Sequence, residues 1–272
     1  MSRRESNGNG KHMMKILPWC ALAICALCAG CFDNRGKPAD ATPVTSLSAL
    51  AATNRAEVVR LYLRGGKETL AEGALAGLSK LKELDLSELK LESVPREIFA
   101  LPALEHLYLA RCELEKVPDE LAKMPALTYL NLDGNRLATV SDALGGAAKL
   151  KWLRLNENQL TELPATLGKC TDLRAFYARR NKLKEVPAFL QNCTKLESVV
   201  LDGNQITAVP DWFVKLPALK SVSLGNCRIG KLPEDLSSWR RLNSLILSGC
   251  PIAAEEMARI RKALGDDVAL VF

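Results

Sequence analysis

Histidine is nearly missing from the chain, which has only His12 and His106. A Ser-His-Asp or Cys-His arrangement would have to rest on one of those two side chains. No G-x-S-x-G, H-E-x-x-H or phosphate-loop signature accompanies them. Aromatic residues make up 5% of the sequence, so packing has to rely on aliphatic side chains, leucine above all. None of the five cysteines beyond residue 31 stands at C-x-x-C spacing, which excludes the usual zinc frame there. The longest apolar run, Ile16 to Ala29, holds about fourteen residues and is too short to cross a bilayer. Charge is close to balanced. Of the formal +6, residues 1–30 supply +3 through Arg3, Arg4, Lys11 and Lys15 against Glu5. A surplus that small on a mixed-charge surface points away from nucleic acid. No cofactor and no metal is expected, and a catalytic role is not expected.

What the chain does have is a period. Leu104 to Met124 (LEHLYLARCELEKVPDELAKM) can be laid over the stretches that begin at Leu127 and Leu150. The shared frame is L-x-x-L-x-L-x-x-[N/C]-x-L-x-x-[V/L]-P-x-x-L-x-x-[L/M/C]. Leu81, Leu104, Leu127, Leu150, Leu173, Leu196, Leu219 and Leu242 open eight copies without an insertion. Val58, Leu61 and Leu63 fit one register earlier, and Val268 and Leu270 one register later. In L-x-L both leucines point to one face of a strand and the residue between them to the other. One strand cannot bury such a face alone, so neighbouring copies must stack. Asn135, Asn158, Asn181 and Asn204 fall where the chain leaves the strand, and their amides suit backbone groups there that no ladder reaches. The prolines from Pro95 to Pro233 then prevent a second strand and favour an extended or short helical return. Ser141-Asp142 replaces the proline once, with Gly145-Gly146 behind it, and a looser turn is expected there.

This frame resembles the leucine-rich repeat family, and the resemblance covers residues 58–272. The V/L-P-x-x-L ending resembles the 23-residue type found in bacterial proteins and in intracellular scaffolds of small GTPases. It implies an α/β solenoid, a curved horseshoe with a parallel concave sheet of about ten short strands and an irregular or short-helical convex side. Residues 45–57 read as an N-terminal cap with Leu47, Leu50 and Ala51 at helical spacing. Residues 58–80 form an atypical first repeat and 81–250 the regular repeats. Residues 251–272 close the array, with Met257, Ile260 and Leu264 on one helical face. Cys112, Cys227 and Cys250 occupy the Asn position, and Cys170 and Cys193 the last apolar one. All five are expected in the core. Equivalent places in adjacent repeats leave a disulfide open for Cys227 with Cys250 or Cys170 with Cys193. The Asn192-Cys193-Thr194 sequon is discounted for the same burial.

Ahead of the array, Leu27-Cys28-Ala29-Gly30-Cys31 resembles a bacterial lipoprotein lipobox, with Cys28 where leucine is usual. It implies a signal peptide over 1–30, cleavage before Cys31, lipid on the Cys31 thiol and a flexible tether over 31–44. Phe32 in place of aspartate favours the outer membrane of a bacterial cell envelope.

The outward strand positions are the informative ones. All four tyrosines fall on them. His106, Tyr108, Tyr129, Asn131, Asp133, Trp152, Arg154, Asn156, Tyr177 and Arg179 form the candidate ligand-binding set. Tyr, Trp and Arg are the side chains that dominate binding hot spots. The later strands carry mostly serine and glycine there. Asp85, Asp133 and Asp202 read as a solvated rim. The sequence therefore predicts a monomeric, membrane-tethered protein that holds a protein partner on its concave face. Two alternatives are glycan or peptidoglycan recognition, and an intracellular small-GTPase scaffold.

Overall fold

The structure is a computed structural model that describes residues 42–66, 69–91 and 93–272. The signal segment expected over 1–30 and the Cys31 lipidation site lie outside the described residues. Ten three-residue strands form one parallel sheet in strict chain order. They are β1 (Arg60–Tyr62), β2 (Glu83–Asp85), β3 (His106–Tyr108), β4 (Tyr129–Asn131) and β5 (Trp152–Arg154). The sheet continues through β6 (Ala175–Tyr177), β7 (Ser198–Val200), β8 (Ser221–Ser223), β9 (Ser244–Ile246) and β10 (Ala269–Val271). Leu61 pairs with Leu84, and Leu84 with Leu107, so sheet register follows the sequence repeat. The middle residue of each strand from Leu61 to Leu245 is fully buried. Each such leucine contributes about 1.5–3 kcal/mol over leaving it exposed, which is what stacks the copies.

The asparagines close each strand as the sequence predicts. The Asn135 Nδ2 donates to the carbonyls of Leu109 and Leu132 at 2.8 and 2.9 Å. Its Oδ1 accepts from the N–H groups of Cys112 and Leu114, both at 3.0 Å. Asn158, Asn181 and Asn204 repeat the pattern. Cysteine fills the same place more weakly: the Cys112 thiol donates to the Leu86 carbonyl at 3.2 Å. One residue earlier the chain turns through left-handed backbone, at Arg111 (φ 54) and Gly134 (φ 69), for example. At Gly134 a side chain would also sit 2.7 Å from the Arg111 Cγ of the preceding repeat.

On the convex side the returns are 3-10 turns, at Arg96–Ala100, Asp119–Lys123, Asp142–Gly146, Ala165–Lys169, Ala188–Asn192 and Ser237–Arg241. A short α-helix, Asp211–Val214, takes the same place after Pro210. The proline stands immediately before the turn at Pro95, Pro118, Pro164 and Pro187. The looser turn expected after Ser141 is not found. The Ser141 hydroxyl accepts from the Ala143 N–H at 3.2 Å and does the capping itself. Gly145 is buried, and a Cβ there would run into the Thr166 carbonyl. The two glycines mark close approach between neighbouring turns.

The ends also differ in detail from expectation. The helix Leu47–Ala51 (α1) buries Leu50, half-buries Leu47 and leaves Ala51 exposed. Val44 adds a parallel bridge to Leu61, so the edge of β1 is covered by main chain as well as by α1. Numbering on, α2 is Asp211–Val214, and α3 (Ala254–Leu264) buries Ile260 and Leu264 while Met257 is half-buried. Gly265, at φ 78, ends α3 before β10. No helix among the described residues is long and apolar enough to cross a membrane.

Candidate functional site: the concave sheet face

The outward residues of the first six strands divide into two clusters, one around Glu83 and one around Asp133, with one indole beside them. At the first group's centre is Glu83, a buried carboxylate on β2. Arg60 lies 3.4 Å from it on β1. Tyr62 and Tyr108 stand on the strands on either side of it, close enough for their phenols to feel its charge. Burial pushes both phenols far above their ordinary range, and the neighbouring Glu83 charge pushes in the same direction. Tyr108 then leans on Tyr129, ring centroids 4.9 Å apart, and His106 meets Tyr129 edge-on at 5.8 Å. Burial raises the Tyr129 phenol to about 12.

The second group is built on Asp133. Arg154 donates through Nε and Nη2 to its Oδ2, at 2.8 and 2.6 Å. The same guanidinium lies over the Tyr177 ring, 5.1 Å from its centroid. Burial works against the Arg154 charge; Asp133, Tyr129 and Tyr177 outweigh it, and its pKa lies above the usual arginine value. Asp133 Oδ1 accepts from the Asn156 N–H at 2.7 Å. Asn156 in turn accepts from the Arg179 N–H at 2.7 Å, and Asn131 from the Asp133 N–H at 2.9 Å.

Trp152 shares β5 with Arg154 and is in register with Tyr129 on one side and Ala175 on the other. Its side chain is half-exposed, with no hydrogen-bond or ring partner among the described residues. Beyond it the face is lined by Ser198, Ser221 and Ser244 with the buried Val200 and Ile246, and the last two hydroxyls share a hydrogen bond of 2.8 Å.

The candidate set thus comes together, but its members differ in kind. His106, Tyr108, Tyr129, Trp152 and Tyr177 form the aromatic surface. Asn131, Asp133 and Asn156 spend their side chains on backbone groups or on Arg154. The solvated rim expected for Asp133 and Asp202 is a misreading. Asp133 is ion-paired, and Asp202 is largely enclosed, with Oδ1 accepting from the Ser223 hydroxyl at 2.6 Å and Oδ2 buried without a partner. Burial raises the Asp202 pKa. Glu83, Arg60 and Tyr62 were outside the candidate set. The signal for them was a carboxylate at an outward position directly between two strands that each carry tyrosine. Among the described residues the five cysteines are free, four of them buried and Cys250 only half so. No group that could hold a metal ion occurs among the described residues.

A continuous parallel sheet presenting a fixed row of rings and ion pairs defines a solenoid scaffold. The leucine-rich repeat pattern matches residues 57–114, 79–137 and 188–252, more than half of the chain, and a second pattern of that name matches 149–170. The chain belongs to the leucine-rich repeat family. Among solved structures, an internalin of Listeria monocytogenes is 22% identical, with a TM-score of 0.64 over 85% of this chain and 71% of that one. A leucine-rich repeat protein of Leptospira interrogans is 24% identical, with a TM-score of 0.50 over 79% of this chain and 72% of that one. Both likenesses are of fold. No curated protein sequence matches the chain. Proteins of this fold commonly mediate protein–protein interaction and are typically non-catalytic scaffolds.

Proposed function

We propose that the protein is a non-catalytic, lipid-anchored receptor of the bacterial cell envelope that captures a protein partner on its concave face. The observation that carries this reading is Trp152, a half-exposed indole without a partner of its own, set beside rings already held in place. A large amphipathic side chain on a rigid support buries much area on binding and loses little entropy, which is the profile of a hot spot. Lipid on Cys31 would hold the array at the outer membrane, in keeping with the lipobox-like Leu27–Cys31.

The test compares the full-length protein with Trp152→Ala, each crosslinked in native membranes and purified under the same conditions. A partner recovered with the wild type and lost with Trp152→Ala supports the reading, provided both unfold at the same temperature. Equal recovery refutes it, and displacement of the partner by soluble glycans would assign the site to sugar instead. Separately, Cys31→Ser should release the protein from membranes; an unchanged membrane pool without acyl label removes the anchor.

A further inference from the structure

Resting on the reading that the concave face takes a protein partner, we propose that Asp85 anchors a cationic side chain, lysine or arginine, of that partner between the rings of Tyr62 and Tyr108. The sheet register puts the three residues in one row, Tyr62 on β1, Asp85 on β2 and Tyr108 on β3. Both tyrosines also lie close enough to the buried Glu83 to feel its charge. Two rings thus flank Asp85 in the row, and an aromatic ring face attracts cations through its quadrupole.

Asp85 is half-exposed, and one of its oxygens accepts the Ser87 N–H at 2.9 Å. Among the described residues no cation forms an ion pair with it. The nearby arginines are engaged elsewhere, Arg60 with Glu83 and both Arg64 and Arg111 with Glu88. Glu83 and Asp133 on the same face each have an arginine.

The fold already contains the filled version of this arrangement. Arg154 sits between the Asp133 carboxylate and the Tyr177 ring. Asp85 has the carboxylate and two rings, and the cation has to come from outside. A guanidinium or ammonium there gains charge-assisted hydrogen bonds and cation–π attraction together. An aliphatic side chain would bury the carboxylate unpaired, and an acidic one would face a like charge. Asp202, another outward carboxylate, already takes the Ser223 hydroxyl and lies within reach of the Arg179 charge, so it does not meet the same condition.

All four tyrosines lie on this sheet, so tyrosine labelled at the ring ε carbon gives four signals that report on it alone. The full-length chain in non-ionic detergent would be titrated with n-butylguanidinium, with butyrate and n-butanol as controls. The Tyr62 and Tyr108 signals should move together and saturate in the millimolar range, while Tyr177, already covered by Arg154, stays put. Asp85→Asn keeps the acceptor for Ser87 and should weaken the cation about tenfold with the four signals still dispersed. Equal shifts with butyrate, equal movement of Tyr177, or unchanged affinity in Asp85→Asn would each overturn the proposal. In the crosslinking experiment, a partner lost with Trp152→Ala but kept by Asp85→Asn overturns the cation anchor alone. A partner kept by both overturns the concave-face reading itself.

Discussion

The Asn158 carboxamide donates to the Leu132 carbonyl of the preceding repeat at 3.0 Å, while its oxygen accepts the Leu137 N–H at 3.1 Å. A single side chain thus satisfies buried main chain on two levels of the solenoid. It also donates to Leu155 and Asn156, both at 3.1 Å. Truncation orphans the buried Leu137 N–H and takes one of two donors from the Leu132, Leu155 and Asn156 carbonyls, and a buried orphan costs about 1–3 kcal/mol. Asn158→Ala should lower stability by about 3 kcal/mol, read from the guanidinium unfolding midpoint. Asn158→Cys should lose less, because cysteine already serves at this position in Cys112, donating to the Leu86 carbonyl. Equal losses for the two variants would show that hydrogen bonding is not what the position supplies.

Neighbouring glycines offer a sharper contrast. A Cβ on Gly145 would meet the Thr166 main chain, whereas on Gly146 it would stand 3.4 Å from the Ala122 Cβ, an ordinary contact. Neither has left-handed backbone, so flexibility does not distinguish them. Gly145→Ala should cost about 2–3 kcal/mol by overpacking, and Gly146→Ala should stay within about 0.5 kcal/mol of wild type. Thermal unfolding of the two single variants side by side decides it.

These two positions also show where sequence reasoning reached and where it stopped. The strand count, the parallel order and the asparagine role follow from a period that every copy obeys, and one inward row dictates the rest. Gly145-Gly146 looked like slack because one copy in isolation cannot reveal that the next copy's Thr166 presses against it. The concave face was legible as a set of outward letters, Tyr108, Tyr129 and Trp152 among them. Its internal pairing was not. Glu83 takes Arg60 from the preceding repeat, and Asp133 takes Arg154 from the next one, and neither partnership is written in local spacing. Cys250 shows the opposite limit, since the frame predicts burial but the last turn leaves it half-covered.

The thiols should report that difference chemically. Burial raises Cys112 and Cys193 to about 12 and Cys170 and Cys227 to about 11. Thiolate is the reactive form, so all four should resist alkylation in the native protein. Cys250, also raised by burial but half-exposed, should react with iodoacetamide at least about tenfold faster than the four. The same shifts set an alkaline limit. Unfolded thiols ionise near about 8.5 while the folded ones stay neutral, so their contribution is complete below that pH and is lost as pH rises through 11 to 12. The unfolding midpoint should fall over that window, and Cys193→Ala should flatten the fall. Alkylation of Cys112 or Cys193 as fast as Cys250 would contradict the packing.

The two described tryptophans with the greatest difference in surroundings separate structure from function most directly. Trp239 is 1% exposed and meets Phe213 edge-on, centroids 6.0 Å apart, on the convex side. Its Nε1 is buried without a hydrogen-bond partner, so the ring alone does the packing. Trp239→Ala should cost about 3–5 kcal/mol. Trp239→Phe should recover most of that loss, because no hydrogen bond goes with the indole. Trp152 lies on the opposite side of the solenoid without a ring partner, and Trp152→Ala should shift the unfolding midpoint by less than the equivalent of about 1 kcal/mol. Guanidinium unfolding of the three variants, followed by far-ultraviolet circular dichroism, gives the ranking. If Trp152→Ala proves as damaging as Trp239→Ala, the indole is holding the sheet together, and any loss of binding in that variant would reflect the fold and not the surface.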